Sequence, residues 1–175
     1  MATRLIRCGL VLAGFFSFAT FGADWASYQP GNSACYIRLP ANPEYQTQIV
    51  DAMVTHIYVA KDASRTPAFV YTVSFGDYPK EKFVDENSPK KILDADRDGF
   101  VKAVNGKIVS EKSIEKGAYP GREVAISGEG GKARYVLREY LIENRIFHLA
   151  ACVPAASVDD ADVTRFFESF QLAKK

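Results

Sequence analysis

The sequence is short of several things, and each shortage excludes a class of function. Three cysteines in 175 residues are too few for a disulfide-dense scaffold. The two histidines, His56 and His148, lie too far apart in sequence to give zinc-ligand spacing. There is no surplus of charge: 22 basic against 21 acidic residues leave +1. That balance excludes a strongly basic clamp and makes nucleic acid a poor partner, because phosphate binding needs clustered positive charge. No repeat, low-complexity tract or long linker divides the chain, and at 47% hydrophobic and 25% charged residues it has ordinary globular composition. The length suits one domain.

No run is apolar enough for a membrane span, which needs about 20 residues. The nearest approach is at the N-terminus. Arg4 and Arg7 precede an uncharged stretch, 9–19, rich in Leu10, Val11, Leu12, Phe15, Phe16 and Phe18. Small residues follow at Ala19, Gly22 and Ala23, and the first acid of the chain is Asp24. A basic start, a short apolar core and a small-residue end predict a secretory signal peptide over 1–23, cleaved after Ala23 or, alternatively, Ala19. Cys8 follows Arg7 and precedes the apolar core, which is the wrong side for a lipidated cysteine. The predicted mature domain, 24–175, carries 20 basic and 21 acidic residues. Its expected location is periplasmic or secreted, with no integral span.

Cys35 and Cys152 remain in that domain. In an oxidising compartment they are a candidate disulfide, worth about 4–5 kcal/mol for so long a loop in the chain-entropy model. The alternative is two buried free thiols acting as small hydrophobes.

Alternation predicts strands at 34–39, within 49–61, and at 68–75, where Phe69, Tyr71, Val73 and Phe75 share a face. A helix over 89–104 has Ser88 as cap, Pro89 in its first turn, an apolar face of Leu93, Phe100 and Val104, and Asn105-Gly106 as its stop. Strands at 107–114, 122–127, 132–142 and 145–153 follow. Glu143-Asn144 is a two-residue hairpin loop that sets Tyr140 opposite Phe147 and Glu139 opposite His148. A last helix over 159–170, capped by Ser157 or Asp159, carries Val163, Phe166, Phe167 and Phe170. Strands joined by tight turns, with helices interspersed, predict an α+β domain: an antiparallel sheet of about six strands with helices packed on it.

Several segments together carry a resemblance. They are Trp25, Cys35-Tyr36-Ile37-Arg38-Leu39-Pro40, Arg97-Asp98-Gly99, Tyr119-Pro120-Gly121-Arg122-Glu123, Tyr140, Asn144-Arg145-Ile146-Phe147 and Phe166-Phe167-Glu168-Ser169-Phe170-Gln171-Leu172. The chain resembles exported bacterial proteins of unassigned function whose domain is similar to the PsbP/Mog-like α/β/α sandwich. The resemblance implies a central antiparallel sheet covered by helices. Its wider group includes a photosystem II accessory subunit and a Ran-binding import factor, so it implies partner binding and supplies no active site.

The candidate chemistry is sparse. Asp94-Ala95-Asp96-Arg97-Asp98-Gly99 begins like an EF-hand loop, but Lys102 and Asn105 stand where the ninth and twelfth positions need oxygen ligands. An amphipathic helix with solvent-facing aspartates and an Asp98–Lys102 pair is the competing reading. Glu139 and His148 are a candidate acid–base pair, or a structural one. Tyr119-Pro120-Gly121 reads as a turn ahead of Arg122, which suits an anion at a rim or an ion pair. Arg122, Arg134 and Arg138 are a candidate partner surface, with a solvated face as the alternative. Gly128-Glu129-Gly130-Gly131 lacks the Lys-Ser/Thr of a phosphate loop and reads as a hairpin turn.

No catalytic residue, metal site or cofactor is called for. The leading expectation is a non-catalytic exported domain that binds or helps assemble an envelope component. The alternatives are a small periplasmic enzyme using Glu139/His148 or Arg122, and a weak calcium-binding domain.

Overall fold

The structure, a computed structural model, describes residues 24–40, 43–50 and 53–173. The predicted signal peptide and Cys8 lie outside the described residues. Among the described residues, ten strands and two α-helices follow in chain order: β1 (Trp25–Tyr28), β2 (Cys35–Pro40), β3 (Glu44–Val50), β4 (Met53–Asp62), β5 (Phe69–Asp77), α1 (Ser88–Ala103), β6 (Lys107–Lys116), β7 (Tyr119–Gly128), β8 (Ala133–Ile142), β9 (Arg145–Pro154), α2 (Ala161–Glu168) and β10 (Gln171–Leu172).

Seven strands form one antiparallel sheet, in the order β3-β4-β5-β9-β8-β7-β6. Alternation along each strand splits its side chains between two cores. One face collects Tyr71, Val73 and Phe75 of β5 with Phe147, Leu149 and Ala151 of β9. Against it lie Ile37 and Leu39 of β2 and Val163, Phe166, Phe167 and Phe170 from the end of the chain. β2 belongs to a small sheet, β1-β2-β10, which shares this layer with α2. The opposite face is covered by α1, whose Ile92 and Leu93 meet Leu141 and Ile146, while Phe100 and Val104 pack near Val124, Ile126 and Leu137. The result is a layered α+β domain with the large sheet in the middle.

The expected alternation of β5, the helix at 89–104 and the Glu143-Asn144 turn are all present. Positive φ at Glu143 closes that turn. It places Tyr140 opposite Phe147 and Glu139 opposite His148, as expected. α1 ends in a Schellman arrangement: Asn105 takes φ 47°, its N–H donates to Lys102 O, and Gly106 N–H donates to Val101 O.

Several expectations change. The run at 49–61 is two strands, β3 and β4. The seven strands of the main sheet are close to the expected six, and a second sheet adds β1 and β10. Ser88 does not cap α1; its Oγ accepts from Val84 N–H and Asp85 N–H and so folds the preceding loop. Asp160 caps α2, accepting from Asp162 N–H. Tyr119-Pro120-Gly121 is not a turn. It starts β7, and Gly117, at φ 65°, makes the turn. Pro120 precedes the point where β8 begins to pair, so its missing N–H breaks no ladder with β8. Gly121 is needed there, because a Cβ would sit 2.5 Å from Glu139 O.

Cys35 and Cys152 are free thiols rather than a disulfide. Cys35 sits in the core shared with β2, beside Ser33 Oγ at 3.2 Å. Cys152 points to the α1 side of β9, beside Tyr135. The sheet therefore lies between the two sulfurs.

Candidate functional site

In-register antiparallel neighbours point to the same side of a sheet. Arg122 of β7 stands opposite Glu139 of β8, Glu139 opposite His148 of β9, and His148 opposite Ser74 of β5. Four polar side chains thus form one row across the sheet, under α1. Sequence reasoning found the Glu139–His148 pair and Arg122; register adds Ser74.

Arg122 is engaged and buried. It donates to Leu93 O at 3.2 Å and to Asp94 Oδ1 at 2.6 Å, and lies 2.9 Å from Glu111 Oε1. It ties α1 to the sheet and leaves no donor on a rim. Lys90 and Arg122 hold the Asp94 carboxyl down at about 2.

Glu139 is fully buried, and neither carboxyl oxygen has a hydrogen-bond partner. Burial, reinforced by the charge of Asp96, pushes it up to about 8, against the pull of Arg122 and Arg97. It therefore holds its proton at neutral pH. His148 lies next in the row, with Nε2 3.9 Å from Glu139 Oε2 and 3.7 Å from Asp96 Oδ1, and Nδ1 3.3 Å from Ser74 Oγ. Burial pushes the imidazole below its ordinary value, so it is neutral at pH 7.

Asp96 belongs to α1 and was expected on a solvent face. Instead its side chain is only 14% exposed and accepts from Tyr78 Oη at 2.9 Å. The signal was available: Ile92, Asp96 and Phe100 recur every four residues on the buried stripe. Tyr78 is held in turn by Asn144, through Nδ2 to Tyr78 O and from Tyr78 N–H to Asn144 O.

Beyond this polar end lies a cleft of about 420 Å³. It exists because both walls are built from small side chains. Ala95, Gly99 and Ala103 line it from α1, at helical spacing, and Thr55, Thr72 and Ala150 line it from the sheet. α1 leans towards β7 and β8, so this part of the β4–β5 surface is left open. Met53, Ile57 and Phe100 complete apolar walls. A mostly apolar hollow with a few converging polar groups is the usual form of a small-ligand site. A second hollow, about 440 Å³, lies by the β8–β9 turn. Its Arg145 is committed to Asp77, through Nε at 2.6 Å and Nη2 at 2.7 Å.

The remaining candidates are scattered. Arg122, Arg134 and Arg138 do not make one surface, since Arg122 points to the α1 side and the other two to the opposite face. Arg138 donates to Glu123 and Glu168 and covers the Phe167 ring at 4.8 Å, fastening α2. Arg134 Nη1 is buried with no hydrogen-bond partner. His56 stacks on Phe75, on the face away from His148. Asp94, Asp96 and Asp98 lie within the continuous helix α1, which is not a calcium loop, and Asp98 accepts from Arg97 rather than pairing with Lys102. Among the described residues no group of three or more His, Cys, Asp or Glu side chains is placed to hold a metal ion. No described helix is long and apolar enough to cross a membrane.

No family model matches the chain, and no curated protein matches its sequence. Among solved structures, cyanobacterial PsbP (CyanoP) from Synechocystis is similar over 96% of this chain and 98% of its own, at 10% identity and a TM-score of 0.59. The Ran-binding protein Mog1p of Saccharomyces cerevisiae is similar over 87% of this chain and 97% of its own, at 10% identity and a TM-score of 0.49. At that identity the likeness to CyanoP is one of architecture, and it agrees with the layers described above: the chain has a PsbP-like fold.

Proposed function

We propose that this is a non-catalytic binding domain, an accessory protein of the bacterial envelope exported by residues 1–23. Its ligand site is the cleft between α1 and the β4–β5 face. The observation that carries this reading is the cleft itself, with mostly apolar walls and a cluster of Ser74, His148, Asp96 and Tyr78 in its lining. Its volume lies within the range of small-ligand sites. The basic, apolar and small segments of the N-terminus support export.

The test uses the neutral apolar fluorophore N-phenyl-1-naphthylamine. Fluorescence should rise on mixing with the protein and fall back in Gly99→Phe. Gly99 lines the cleft and a Cβ there meets nothing within 4 Å, so a ring can be added to this wall without displacing core atoms. Equal binding by both proteins would overturn the site.

A second reading has one observation in its favour. Ser74, His148 and the carboxyl groups of Asp96 and Glu139 are gathered at the end of a cleft. The separations from His148 to both acids exceed hydrogen-bond length, and the serine lies within a strand rather than on an exposed turn. Hydrolysis of p-nitrophenyl acetate that disappears in Ser74→Ala would replace binding by catalysis. No Ser74-dependent turnover is expected.

A further inference from the structure

We infer that the cleft selects an organic cation: a primary ammonium on a small apolar body, its head beside Asp96 and its body along Met53, Ile57 and Phe100. This deepens the binding reading and rests on it. The first support is charge. Of the described residues lining the cleft, Asp96 and His148 are the charge-bearing ones, and His148 is neutral. Among the described lining residues Asp96 is therefore the one charged group at pH 7, and it is negative.

The nearby cations do not reverse that sign. Arg97 is turned to Asp98, at 2.8 Å, and to Glu111, at 3.0 Å. Arg122 is turned to Asp94 and Glu111. Neither lines the cleft. Asp96 would repel a carboxylate ligand, and an uncharged alcohol could give it one hydrogen bond but no ion pair.

The second support is the set of groups around the head. Tyr78 Oη already donates to Asp96 Oδ2, which fixes the carboxylate, and Tyr78 itself lines the cleft. Ser74 Oγ lies at the same end and offers lone pairs to an N–H donor. Phe100 adds a second aromatic wall, suited to a cation.

The third support is Glu139. It is a fully buried carboxyl with both oxygens unpartnered, 3.9 Å behind the His148 ring. Such a group is costly unless something beyond it completes the network. A cation at Asp96 favours its ionised form, so the row holds a second negative charge in reserve.

The experiment compares three six-carbon competitors, hexylamine, hexanol and hexanoate, as displacers of N-phenyl-1-naphthylamine at pH 7. Hexylamine should displace at about tenfold lower concentration than hexanol, and hexanoate should be weakest. In Asp96→Asn the amine and the alcohol should become equal while the fluorophore still binds. An amine no better than the alcohol in the wild type overturns the cation inference and leaves the cleft reading standing. If the fluorophore does not bind, titration calorimetry with hexylamine decides. Heat lost in Asp96→Asn upholds the inference, and no heat refutes both readings. Gly99→Phe should abolish amine binding without touching Asp96. Amine binding that survives it places the amine elsewhere and overturns the inference.

Discussion

Replacing Glu139 by glutamine should change how stability depends on pH, and the structure sets both sign and size. Glu139 titrates near 8 in the folded protein and near 4.5, its ordinary value, when unfolded. Below the lower value both states hold the proton and folding loses nothing. Between the two, the unfolded chain gives up its proton while the folded protein keeps it, so stability falls as pH rises. Above the folded value both are ionised and the loss is complete. At about 1.4 kcal/mol per pH unit, the gap corresponds to a full loss on the order of 5 kcal/mol. The groups facing Glu139 are Arg122 on β7, His148 on β9, Asp96 and Arg97 on α1, and Glu111 on β6. The amide of Glu139→Gln cannot titrate, so subtracting the variant from the wild type removes most of what those neighbours contribute. Urea unfolding of both proteins at unit steps from pH 5 to 9 gives the difference. It should fall by about 1.4 kcal/mol per unit up to pH 8 and then flatten. Parallel profiles would refute the claim that a protonated carboxyl is sealed under α1.

Arg122→Ala should cost about 2 kcal/mol in the same unfolding assay, because it removes the buried guanidinium that joins Leu93 O and Asp94 of α1 to Glu111 of β6, although Lys90 and Arg97 still reach the two acids. Arg122→Lys should recover little, since one ammonium cannot reach all three. Phe170→Ala should cost about 3–5 kcal/mol, because a fully buried ring stacked on Tyr140 and packed against Phe147 is lost. A chain of residues 24–175 should show two reactive thiols when unfolded without reductant, and its melting midpoint should not move when reductant is added. One mole or less of free thiol per chain would contradict the separation of Cys35 and Cys152 by the sheet.

What was legible in the sequence was what local periodicity and turn chemistry decide. Phe69, Tyr71, Val73 and Phe75 alternate because the layer of β2 and α2 buries one side of β5. Glu143-Asn144 sets the β8–β9 register, and register alone put Glu139 against His148. The rest depended on distant partners. β10 is two residues long and forms by pairing with β2, far away in the chain. β3 is exposed along its whole length, so no alternation marks it. Ser74 looked like an ordinary residue within an apolar strand until β9 was placed beside it. Asp96 was obscured by its neighbours: a run of alternating aspartates suggests solvent or calcium, and only the helix phase shows that the middle one turns inward.

Gly99 lines the cleft from the middle of α1. Glycine at an interior helical position costs about 1 kcal/mol relative to alanine, and here an added methyl group would meet no neighbour. The helix therefore carries a deficit in stability that one atom group would remove, and the same group would begin to fill the hollow beneath it. Foldedness and vacancy are opposed at this position. Variants selected only for thermal resistance should accumulate larger residues at 99, and in doing so they should close the cleft.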